Sequence, residues 1–178
     1  MEGEIIQIIL RVKEIIVYLI LILFLIDLAR ADNYNKIARI IKILLFPLLI
    51  IFNIHYKKIN IGLLFAAMLI NGITFYLTTP SDITTVVNKA IFETSFLLIG
   101  ILKFVVIAGV VLSWVYLFGA KFYNSLTTLI QELYENTVSI FRSIIPPAGG
   151  FDFSPLVALF VFQLAERILY IFQSQYFS

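Results

Sequence analysis

Charged side chains inside apolar stretches are the residues of this chain best suited to do chemistry. Glu14, Lys103 and Glu166 each interrupt a long hydrophobic run, as do Arg11, Lys13 and Arg167. At ~1.5 Å per helical residue, Glu166 lies about 16 Å beyond Pro155, Lys103 about 10 Å beyond Phe96 and Glu14 about 14 Å beyond Ile5. In an apolar layer about 30 Å thick those depths overlap, so one ionic layer can join the helices that carry them. Two kinds of chemistry fit. Opposite charges can pair and fix helix register, with Arg11, Lys13 and Arg167 reaching outward to the interface. Alternatively, they can line a path for ions or protons. Gln163, Glu166 or Arg167, Tyr170 and Gln173 recur at helical spacing, which gives one helix a polar face directed at a bundle or a partner. Four short helices hardly enclose a pore, so conduction requires an oligomer.

A second constellation surrounds the run Pro146-Pro147-Ala148-Gly149-Gly150-Phe151-Asp152-Phe153-Ser154-Pro155. Each proline disfavours a helical conformation at the residue before it, so a helix must stop near Pro146. Gly149 and Gly150 permit positive φ or a close backbone approach. Ser154 as N-cap and Pro155 at the first helical position start the next helix. Asp152 precedes that N-terminus, where negative charge is favoured, and can pair with Arg142. The run reads first as a structural turn and second as a partner-contact or ligand site.

Other chemistries lack their residues. The chain has no Cys, which removes disulfides and thiolate metal sites. His55 is the sole histidine and stands beside Tyr56-Lys57-Lys58. Bis-histidine haem ligation and a zinc cluster are therefore not expected. Nucleophile-base constellations and phosphate-binding glycine loops are missing from the sequence. The expectation is a non-enzymatic protein with no metal, no cofactor and no identified small-molecule substrate. The basic stripe Lys36, Arg39 and Lys42 suits anionic lipid headgroups better than nucleic acid.

The elements that must position these residues are helices in lipid. Of 178 residues, 61% are hydrophobic and 13% charged, with a mean hydropathy of +1.02. A soluble domain is about 45–50% apolar and about 25% charged. Spanning helices of roughly 20 residues are expected at 5–28, 61–77, 96–118 and 155–172, which uses up the chain. The acidic start, Glu2 and Glu4, argues against a cleavable leader despite Ala29-Arg30-Ala31. Two further segments are amphipathic. In the first, Ile37, Ile40, Ile41 and Leu44 oppose Lys36, Arg39 and Lys42. In the second, Leu126, Leu129, Ile130, Leu133 and Phe141 oppose a polar face ending at Arg142. Both suit interfacial helices, and the aliphatic run around Pro47 also allows a re-entrant one.

The layout of span, amphipathic helix, span occurs twice, so the expected fold is all-α and integral to the membrane. It comprises four transmembrane helices and two amphipathic ones in two parallel repeats, 1–80 and 81–178. Asp32-Asn33-Tyr34-Asn35 aligns with Lys121-Phe122-Tyr123-Asn124, and Asn60-Ile61-Gly62 falls near Asp152-Phe153-Ser154. Within the repeats the linkers carry Arg30, Lys36, Arg39, Lys42, Lys57, Lys58, Lys121 and Arg142. The linker between the repeats carries only Lys89. Basic linkers face the cytoplasm, which leaves both termini outside.

Arg142, Ile144-Ile145-Pro146 and Gly149-Gly150-Phe151-Asp152-Phe153-Ser154-Pro155 together resemble the hallmark of the YggT family, which includes the YlmG proteins of plastids and cyanobacteria. Ser113-Trp114, Glu14 and the segment from Asp32 to Asn35 fit the same pattern. The chain departs from it at Leu23, where the family commonly has Arg, and at Asn136, where it usually has Pro. The first repeat also lacks the Pro-Gly run. The resemblance implies a bacterial inner-membrane or thylakoid protein. It also implies connections to osmotic or salt stress, to envelope or division processes, and to haem attachment in plastids. A small scaffold or assembly/envelope stress factor accommodates these best. It would act in membrane lipid through other integral membrane proteins or itself. An oligomeric ion-conducting or osmotic-response protein is the alternative.

Overall fold

The computed structural model describes residues 2–31, 35–57, 59–119, 123–144 and 152–176. Pro146, Gly149 and Gly150 lie outside the described residues, as do Asp32, Tyr34, Lys58 and Lys121. The described elements are helical apart from one short ladder.

Helix α1 (Glu2–Ala29) closes at Arg30, whose φ of 51° is the left-handed conformation that commonly terminates helices. Asn35 then starts α2 (Lys36–Leu44), its Oδ1 accepting from the backbone N–H of Ile37 at 2.9 Å. The first amphipathic segment is α2 itself, and the aliphatic run around Pro47 forms a separate short helix. Pro47 cannot donate to the preceding turn, so the helix breaks at Leu45 and resumes as α3 (Phe46–Phe52). A two-residue antiparallel ladder follows, β1 (His55–Tyr56) with β2 (Ile59–Asn60), turning through Lys57 at φ 56°.

Asn60 caps α4 (Ile61–Thr78) by accepting from the N–H of Leu63 at 3.3 Å. Helix α5 (Ile83–Leu117) begins well before the expected residue 96. Asp82 fixes that start, its carboxylate accepting from the N–H of Thr85 at 3.1 Å and its hydroxyl at 2.6 Å. Those bonds hold the exposed Asp82 carboxyl below the ordinary range. Gly119, at φ 86°, follows the end of α5. Asn124 opens α6 (Ser125–Arg142) with a reciprocal capping box through Thr127. The last helix is α7 (Ser154–Tyr176).

Three of these helices, α4, α5 and α7, are long and apolar enough to cross a membrane. The expected fourth span, α1, is helical over 28 residues, but every 18-residue window of it contains at least three charged residues. Its apolar half is sequestered: Val17, Ile20, Leu21 and Leu23 are fully buried.

The chain forms two compact units: Met1–Leu28 with Ile40–Leu98, and Ala29–Arg39 with Ile99–Ser178. In the first, α3 packs on α4, with Phe52 and Phe65 ring centroids 6.2 Å apart. Backbone contact there is close enough that Gly62 donates to the carbonyl of Ile54 at 3.0 Å. In the second, α6 packs on α7, with Phe141 edge-on to Phe162 at 5.8 Å. Gly109 of α5 receives the ring of Tyr134 from α6, and an added Cβ would lie 2.2 Å from its Cγ. Gly109→Ala is therefore expected to expel Tyr134 and cost about 1–3 kcal/mol. Detergent unfolding curves of the variant and wild type measure it.

Candidate functional site

Each compact unit holds its own polar centre. In the first, three helices meet through side chains that the apolar environment leaves no alternative but to pair. Lys13 on α1 donates to Asn71 Oδ1 on α4 at 3.0 Å, and Asn71 Nδ2 donates to the Thr94 hydroxyl on α5 at 3.0 Å. Glu93 lies 3.7 Å from Lys13 and 4.0 Å from Lys89. Asn71 is 1% exposed and Thr94 is buried, so this network is internal. Lys13 thus turns inward instead of reaching to the interface. Glu14 beside it is exposed on α1.

The same unit has a second polar hub at the start of α4. Asn60, fully buried, donates from Nδ2 to Asn53 Oδ1 at 3.2 Å and to Asp27 Oδ2 at 3.4 Å while its Oδ1 caps the helix. Asp27 in turn lies 3.7 Å from Lys42. Lys42 therefore belongs to a structural cluster, whereas Lys36 and Arg39 of the basic stripe are exposed. Along the apolar helices of this unit, Met68, Gly72, Ile73, Tyr76, Val86 and Val87 contribute to a wholly apolar groove of 380 Å³ between α4 and α5.

In the second unit, Lys103 on α5 donates to Glu166 Oε2 on α7 at 2.6 Å, both side chains half-buried. Asn35 Nδ2 donates to the Ser125 carbonyl at 2.7 Å, which ties the start of α2 to the start of α6. Arg142, in the last turn of α6, forks between two carboxylates. Its Nε donates to Asp152 Oδ2 at 2.7 Å, and a second nitrogen bonds Glu135. The other oxygen of Asp152 accepts from the N–H of Ser154 at 2.9 Å. Asp152 thus supplies a capping oxygen at the start of α7, ahead of the Ser154-Pro155 pair, and both of those residues are buried.

Burial pushes the Asp152 carboxyl up, but the hydrogen bonds from Ser154 and Arg142 outweigh it and leave the group below its ordinary value. The guanidinium of Arg142 is held firmly protonated by Glu135 and Asp152. A depressed carboxylate contributes stability that is present above the unfolded pKa of about 3.9 and is lost as pH falls through the folded value. Acidifying below about pH 4 should therefore loosen the α6–α7 junction. Asp152→Asn should show a smaller loss over the same interval, and thermal melts in detergent across that range test this.

Of the polar face expected on α7, Glu166 is spent on Lys103 and Gln173 is half-buried, but the rest is not spent inside the chain. Gln163, Arg167, Tyr170 and Ser174, at spacings of four, three and four residues, are all exposed, and only 11% of the apolar window of α7 is buried. Sequence reasoning marked Gln163 and Glu166 but missed Asn71, Thr94 and Asn60 as bonding centres. The signal was present in Asn71, a carboxamide in the middle of an otherwise apolar run. Among the described residues, no group of His, Asp and Glu is arranged to hold a metal ion.

The fold and these helix-to-helix polar contacts define an all-α protein built around helices of membrane-spanning length. Residues 88–173, which hold α6, α7 and the Arg142–Asp152 pair, match the CCB3/YggT family model. The chain is also 28% identical over 165 residues to the uncharacterized protein PA0392 of Pseudomonas aeruginosa, a match that covers 85% of this chain and 82% of the relative. No solved structure matches.

Proposed function

We propose that this protein is a non-enzymatic membrane scaffold or assembly factor that works through contacts with membrane-protein partners. One observation carries the reading: α7 has the length and apolarity of a span yet exposes Gln163, Arg167 and Tyr170 along one face. Polar side chains at that depth are costly against lipid and are normally covered by protein. The other intramembrane charges support a structural role. A pair closed at 2.6 Å, as in Lys103–Glu166, holds two helices together better than it passes ions.

We further read the chain as four spans in two parallel repeats. Asn35 and Asn124 each begin an amphipathic helix, and Asn60 and Asp152 each hold the start of the helix that follows. Lys13 joins α1 to α4, and Lys103 joins α5 to α7. In register with Tyr34-Asn35 and Tyr123-Asn124, the two lysines fall one position apart. The α1 charges that raise the cost of insertion are partly neutralised by the Lys13–Asn71–Glu93 contacts. The basic linkers then face the cytoplasm of a bacterial inner membrane, with Lys36 and Arg39 at anionic headgroups.

Affinity isolation from native membranes in a gentle detergent tests the function. Stoichiometric recovery of an integral membrane protein is the expected result. Isolation of the chain with nothing bound, together with ion flux in liposomes that Glu166→Gln alters, would overturn it in favour of conduction.

A further inference from the structure

The intramembrane charges can be sorted by partner. Glu93 faces Lys13 and Lys89, Asp27 faces Lys42, and Glu166 faces Lys103. Arg11 and Glu14 on α1 and Arg167 on α7 are exposed and make no hydrogen bond or ion pair among the described residues. Each sits in a stripe of the same spacing. On α1 the stripe is Gln7, Arg11, Glu14 and Tyr18, and on α7 it is Gln163, Arg167, Tyr170 and Ser174. All eight are exposed.

We propose that the chain self-associates head to tail, the α1 stripe of one copy lying antiparallel against the α7 stripe of the next. The proposal rests on the reading of α7 as a contact surface and of α1 as a span. Depth sets the register. Arg167 is about 18 Å beyond Pro155, which in a layer of about 30 Å leaves about 12 Å to the face where α7 ends. In the four-span reading that is also the face where α1 begins, and Glu14 lies about 14 Å from it. At this register Arg167 meets Glu14, Tyr170 offers its ring to the Arg11 guanidinium, Gln163 reaches the Tyr18 hydroxyl, and Ser174 meets Gln7. The opposite charges of Glu14 and Arg167, with Tyr170 rather than a second charge against Arg11, select a second copy of this chain as the occupant. The two surfaces differ, so the contact is heterologous and closes into a ring if its rotation permits.

The absence of native Cys makes the test direct. Two populations, one carrying E14C alone and one carrying R167C alone, are mixed in membranes and mildly oxidised. A mixed disulfide between the two populations is expected, together with one between Y18C and Q163C. In parallel, mass measurement in nanodiscs should give an oligomer for the wild type and monomers for Glu14→Arg and for Arg167→Glu. The combined charge reversal should give the oligomer again, and Arg167→Lys should retain it. Circular dichroism confirms that each variant is folded, and the cysteine pairs decide the matter for any charge reversal that is not. A monomeric wild type, or disulfides only between like copies, overturns the proposal; the same outcome is what an Arg167 reaching the headgroups produces. If the mixed disulfide fails while α7 variants still lose a different membrane protein on isolation, self-association falls and the contact-surface reading stands. If neither is seen, both fall.

Discussion

Gly62→Ala should unfold this protein more readily than the same change at any other described glycine. A Cβ at position 62 would lie 1.8 Å from the carbonyl oxygen of Phe52 and 2.8 Å from the backbone nitrogen of Ile54. Both obstacles are main chain, so no rotamer change relieves them. The end of α3 must separate from the start of α4, breaking the Gly62–Ile54 hydrogen bond and disturbing Asn60, the capping residue two positions earlier. Overpacking in a core costs typically 1–3 kcal/mol, and a backbone collision belongs at or above ~3 kcal/mol. Gly100→Ala is the control, because nothing lies within 4 Å of a Cβ there. In mid-helix that change should be neutral or stabilising by about 0.5–1 kcal/mol. Titration with SDS in mixed micelles compares the two; equal stabilities would show that α3 and α4 do not approach this closely.

The second large effect is expected at Lys103. Lys103→Met leaves Glu166 half-buried without its 2.6 Å donor. Breaking a buried pair from one side costs about 3–5 kcal/mol, whereas replacing both partners by apolar groups is often nearly neutral. The side chains are 28% and 37% exposed, so the low end of that range applies if water reaches them. Lys103→Met combined with Glu166→Met should therefore recover most of the stability lost in the single variant. A double-mutant cycle reads the coupling directly. Additive losses would mean that the two residues act independently.

Long uninterrupted apolar runs made parts of this fold legible in advance. Helix α4 covers Ile61–Thr78 against an expectation of 61–77, because Asn60 and the Thr-Thr-Pro segment bracket it sharply. The start of α5 was not legible from hydropathy. Thr84, Thr85, Asn88, Lys89 and Glu93 depress the signal while the helix continues, anchored by the Asp82 cap. Pro47 was visible, but its effect depends on whether the chain bends or stops, and here α2 ends and α3 begins. Helix α1 was legible as a helix, while its charges keep it from qualifying as a span by composition alone. Rise per residue suffices to bring Lys103 near Glu166, since both lie on long regular helices. It does not reveal that Lys13 rather than Glu14 turns inward, because that depends on rotation about the helix axis and on Asn71 as acceptor.

The exposed face of α7 is where the functional reading can be tested most directly. A photo-crosslinking residue placed in turn at positions 163, 167 and 170 of the chain in its native membrane, with position 162 as the inward-facing control, reports what covers that face. Phe162 already packs on Phe141 within the chain. The account predicts covalent capture of a membrane protein, whether a second copy or another chain, at 163, 167 and 170 and not at 162. Capture of lipid alone at all three stripe positions would contradict it.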